Sequence, residues 1–74
     1  MTDQEALVER VKQENEEFRQ LLEEHQALER QLEELNRHRY LTADQEVERK
    51  TLKKRKLRKK DRMAAILREY QRGG

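Results

Sequence analysis

VKQENEEFRQLLEEHQALERQLEEL, residues 11–35, places its apolar side chains in alternating steps of four and three. Val11, Phe18, His25 and Leu32 fall on one heptad position, and Leu21, Leu28 and Leu35 share the other with Glu14. Extended back to Leu7, this is the seam of an amphipathic helix that packs lengthwise against another helix, with His25 and Glu14 as its interruptions. Upstream, Thr2-Asp3-Gln4-Glu5 fits a capping box, in which a Thr hydroxyl and a Glu carboxylate satisfy amides at a helix start. The pattern predicts one helix over about residues 3–37.

Downstream, Arg37-His38-Arg39-Tyr40-Leu41 loses the heptad, so a turn is expected over about residues 38–42. Thr42-Ala43-Asp44-Gln45 then supplies a second capping box, with an acid in the first turn as the helix dipole prefers. A second helix is predicted over about residues 43–71, since nothing breaks it before Gly73 and Gly74. Its seam is weaker: Leu52, Lys56, Lys59, Met63, Ile66 and Tyr70 share a stripe whose middle is two lysines. So short a connection makes the helices antiparallel neighbours. With the turn near residue 40, facing residues have numbers adding to about 81. Leu35 then faces Val47, His25 faces Lys56, Phe18 faces Met63 and Val11 faces Tyr70. The expected hairpin core is Phe18, Leu21, Leu28 and Leu32 against Leu52, Met63, Ile66 and Tyr70, closing both ends around a polar waist.

Composition agrees with an all-α chain. In 74 residues, 46% are charged and 4% aromatic, with no Pro or Cys and both Gly at the C-terminal end. A chain of this size cannot enclose a sizeable core alone, so neither an enzyme pocket nor a cofactor site is expected. Val8 and Leu22 beside the first seam, and Leu57 and Ala64 round the second helix, form a thin second apolar stripe. Pairing two hairpins into a four-helix bundle would bury it, so a homo-oligomer, most simply a dimer, is expected. Without Cys there are no disulfides and no thiolate ligands, and no apolar stretch is long enough to span a bilayer. The polar, acidic opening Met1-Thr2-Asp3-Gln4-Glu5 is unlike a secretory signal, and a cytoplasmic location is expected.

The net charge of +2 hides an asymmetry. Residues 1–40 hold eleven acids against six Lys and Arg, and residues 41–74 hold five against twelve. The halves attract each other. Ten of the fourteen residues from Arg49 to Arg62 are basic. Lys53, Lys54, Arg55, Arg58 and Lys60 are the expected exposed patch, offered to an acidic protein partner. Counterion release could instead draw nucleic acid to the run, but its charges point all round the helix and no aromatic residue lies among them to stack on bases. Weak, salt-sensitive RNA or DNA association through residues 49–62 is therefore the alternative. A membrane role is not expected, because the bulky apolar residues of the second helix lie mainly after the basic run.

His25 and His38 are too far apart along the chain to share a metal ion, and the Glu-x-x-His spacing of helical di-metal sites is absent. No metal ligand or catalytic residue is assigned. His25 instead reads as a polar residue that fixes the register of the seam.

Phe18, Leu21, His25, Leu28, Glu29 and Leu32, then Tyr40-Leu41-Thr42 and Leu52-Lys53-Lys54-Arg55-Lys56-Leu57-Arg58-Lys59-Lys60-Asp61, resemble the YdcH-like family of small bacterial proteins of unknown function. The resemblance covers roughly residues 8–69. It implies a bacterial, cytosolic helical hairpin and brings no catalytic residue. Lys59 departs from it, since the family usually carries Leu there. That places a charge on the predicted seam, where a Lys stem can lie on apolar neighbours while its ammonium reaches water.

Overall fold

The computed structural model describes residues 2–73, and these form three helices: α1, Asp3–Glu14; α2, Glu16–Asn36; and α3, Ala43–Gly73. Gly74, read with Gly73 as the tail of the last helix, lies outside the described residues. Each helix start has a visible cause. Thr2 caps α1, its hydroxyl accepting the Glu5 N–H at 3.1 Å. At α3 both arms of the capping box are made: the Gln45 N–H donates to the Thr42 hydroxyl at 3.1 Å, and the Thr42 N–H donates to the Gln45 side-chain carbonyl at 2.9 Å.

The single helix expected over residues 3–37 is instead two. Asn15 leaves the helical region, at φ −123° and ψ 108°, and its side-chain oxygen accepts the Phe18 N–H at 2.9 Å. Asn is among the best N-cap residues, and Glu16 and Glu17 follow it where the helix dipole favours acids. The break is one residue long: the Asn15 N–H still bonds the Val11 carbonyl, and the Asn15 carbonyl still accepts from Arg19. It redirects α1 so that Leu7, Val8 and Val11 pack with Phe18, Met63 and Ile66.

After Arg37 the chain turns through an exposed segment in which Tyr40 is 81% accessible and Leu41 tucks inward. α3 then runs back along α2, as its ion pairs show: Lys56 meets Glu29, Lys59 meets Glu24 and Arg62 meets Glu17, one number rising as the other falls. At about 1.5 Å per residue, the 31 residues of α3 account for the longest dimension of 48 Å.

The buried residues fall into two clusters. Val11, Phe18, Met63 and Ile66 form one, with Leu21 and Tyr70 partly buried against it. Leu28, Leu32, Leu35 and Leu52 form the other. The eight residues expected in the core all lie in or against these clusters, and Val11 and Leu35 join them from the predicted seam. Leu35 does not face Val47, which is 64% exposed; it packs in the cluster containing Leu52, flanked by Leu41. Facing numbers drift along the pair, adding to 85 at Lys56–Glu29 and to 79 at Arg62–Glu17, so a single sum of 81 misplaces the layer nearest the turn.

Candidate interaction surface on α3

The basic run of α3 is sorted by the helical repeat. With 3.6 residues per turn, Leu52, Lys56, Lys59 and Met63 fall on the side facing α2, and the other cations of the run point to the flanks or outward. Lys56 Nζ lies 3.5 Å from Glu29, and Lys59 pairs with Glu24. Lys59 is partly covered, its stem on the seam and its ammonium on an acid of α2, so the charge at this position is accommodated without opening the helix pair. Arg62 closes the row as a fork, its Nε and Nη2 donating to the two carboxylate oxygens of Glu17 at 3.0 and 3.1 Å. That hydrogen bond holds the Glu17 carboxyl below its ordinary range and raises the Arg62 guanidinium above its own.

The five residues expected as one patch are all exposed, and among the described residues none stands within ion-pair distance of an acid. They do not form one surface. Arg55 and Arg58 border a shallow groove on one side of the α2–α3 seam, over Leu21 and Leu28. Lys53 and Lys60 border a second groove on the other side, with Leu57 between them and Leu32 as floor. Lys54 joins neither groove.

The waist lies where the two clusters part. His25 is partly buried there, its Nδ1 4.0 Å from the Glu29 carboxylate that Lys56 also approaches. The expected pairing of His25 with Lys56 is thus mediated by Glu29. The other ring nitrogen, Nε2, is buried and has no hydrogen-bond partner among the described residues. Glu14 turns outward to Arg10 at 3.2 Å. Among the described residues no group of three or more His, Asp or Glu side chains could hold a metal ion, and no helix is long and apolar enough to cross a membrane. A contact not anticipated from sequence is Arg10 over the Tyr70 ring, 5.6 Å from its centroid, which ties α1 to the end of α3.

The family model described as "Protein of unknown function (DUF465)" matches residues 18–67. The chain belongs to this family. YdcH is itself a DUF465 member, so the resemblance drawn from the α2 and α3 residues points to the same group. No curated protein and no solved structure matches the chain. The DUF465 match starts at Phe18, just after the Asn15 break, and ends at Leu67; it spans the paired α2 and α3 and leaves out α1. The inner ion-pair partners from Glu24 to Arg62 lie within it, and Glu17 falls one residue before it.

Proposed function

We propose that this DUF465 protein is a non-catalytic helical interaction module, which self-associates as a hairpin dimer and offers the outer basic side chains of α3 to an acidic protein partner. One observation carries the proposal: Lys56, Lys59 and Arg62 are engaged by acids of α2, whereas Lys53, Lys54, Arg55, Arg58 and Lys60 are exposed and unpaired. Side chains that only neutralised the acidic half would all face it. Cations in water carry no stability of their own, and an outward cluster raises the rate and specificity of association with an acidic surface. Self-association is supported by the size of the chain, because a lone helical hairpin buries too little apolar area to be more than marginally stable.

The same outward cations favour a second function, weak association with RNA or DNA through phosphate contacts. The two separate in one titration. Fluorescence anisotropy is followed for labelled polyglutamate and labelled single-stranded RNA, from low to physiological salt, with the wild type and with K54E/R55E/R58E. The proposal expects polyglutamate binding that persists at physiological salt and disappears in the variant while its helicity is unchanged. Binding that survives the reversal overturns the surface. RNA binding that persists at physiological salt without polyglutamate binding makes the second function the correct one.

A further inference from the structure

The two grooves beside the α2–α3 seam differ in chemistry. The groove bordered by Arg55 and Arg58 also carries Lys59 and Arg62, set against one acid, Glu24, which Lys59 already holds. The opposite groove is mixed: Lys53, Lys56 and Lys60 of α3 stand across from Glu29 and Glu33 of α2, with Lys56 on Glu29. Its floor is Leu32, and Leu57 rises at its edge, 58% exposed, with Lys53, Lys54 and Lys60 as neighbours one turn away. A basic wall, an acidic wall and an apolar centre make a surface complementary to itself.

Two copies can be laid face to face on such a surface about a two-fold axis in two ways. With the axis across the helices, α3 lies on α3 and α2 on α2, so lysines oppose lysines and glutamates oppose glutamates. With the axis along the helices, α3 of each copy lies on α2 of the other, and every basic wall meets an acidic one. Only the second brings opposite charges together around an apolar centre, and like-charge juxtaposition at an interface costs several kcal/mol. We infer that a second copy of this chain docks on the Leu57 groove in this orientation. Leu57 is then covered by the partner's α2, and because this axis keeps the levels along the helices, Lys53 meets the partner's Glu33 and Lys56 the partner's Glu29. This rests on the self-association proposed above and adds its face and its orientation. Arg55 and Arg58 stay outside the contact, free for an acidic partner.

The test is sedimentation equilibrium of the intact chain, with circular dichroism to verify helicity. The wild type is expected to dimerise. Leu57→Glu replaces the exposed apolar side chain that the partner covers with a carboxylate and is expected to weaken dimerisation by about tenfold or more, as loss of an anchoring interface residue does. Lys53→Glu and Glu33→Lys are each expected to weaken it, and an equimolar mixture of the two to recover it, because each reversed wall then finds its complement. A dimer unaffected by Leu57→Glu, or reversed variants that do not recover on mixing, overturns the face or the orientation and leaves self-association standing. A wild-type chain that stays monomeric at the highest soluble concentration overturns self-association itself and this inference with it.

Discussion

Phe18 lies between the Asn15 cap and the α3 core, 2% exposed in the cluster with Val11, Met63 and Ile66. Truncating a buried aromatic removes its transfer energy and leaves a cavity, so Phe18→Ala is expected to cost about 3 kcal/mol or more. Thermal denaturation reads this directly, and an unchanged melting temperature would contradict the core assignment. His25 carries the opposite expectation. Its Nε2 is buried without a partner, and a buried unsatisfied donor or acceptor costs about 1–3 kcal/mol. His25→Leu removes that cost and joins the two apolar clusters, so the melting temperature should rise, with register specificity as what is lost; a fall would show that the contact with Glu29 outweighs the orphaned nitrogen. Glu17 gives a pH signature. Arg62 holds its carboxyl below the ordinary range, so the contribution of the pair is complete above that range and is lost as pH falls through the lowered value. Glu17→Gln should lower the melting temperature at neutral pH, modestly because the pair is exposed, and leave it unchanged in strong acid. A deficit that persists in strong acid would contradict the assignment. Core residues are legible in sequence because periodicity selects them. The Glu29 carboxylate shared by His25 and Lys56 is not, because its position depends on how side chains on two helices meet.

At the scale of elements, capping explains both what was readable and what was missed. The box at Thr42 and Gln45 starts α3 where its sequence places it, with both hydrogen bonds made. The break at Asn15 escaped because it preserves the heptad: Val11 and Phe18 remain seven residues apart across it, and a single extended residue leaves no gap in the apolar pattern. Its only mark is the composition of Asn15-Glu16-Glu17, a strong cap followed by two acids. Asn15→Ala should therefore cost about 1 kcal/mol, the usual worth of an N-cap, measured as a lower urea midpoint with unchanged slope. A gain in stability would mean that an unbroken helix over residues 3–36 is the better fold. The weak seam of α3 has a matching explanation. Lys56 and Lys59 dilute its apolar signal, yet both are held by acids on α2 that periodicity in a single helix cannot reveal.

Over the whole molecule, the asymmetry between an acidic first half and a basic second half becomes an antiparallel pair of helices with two apolar clusters and a charged waist. The approximate facing of residues was legible, since it follows from where the turn lies. The division of the basic run was only partly so. That some cations would be neutralised internally follows from the opposing glutamates, but which groove each borders depends on the α2 side chains that line it from across the seam. The central claim is that α3 carries an inner row of cations that closes the fold and an outer set that does not. Thermal denaturation of two double reversals, K59E/R62E and K54E/R58E, measured side by side, tests it most directly. The inner reversal sets carboxylates against Glu24 and Glu17 and should lower the melting temperature clearly. The outer reversal relieves crowding among like charges and should leave it unchanged or slightly raised. Equal losses in the two variants would contradict the division.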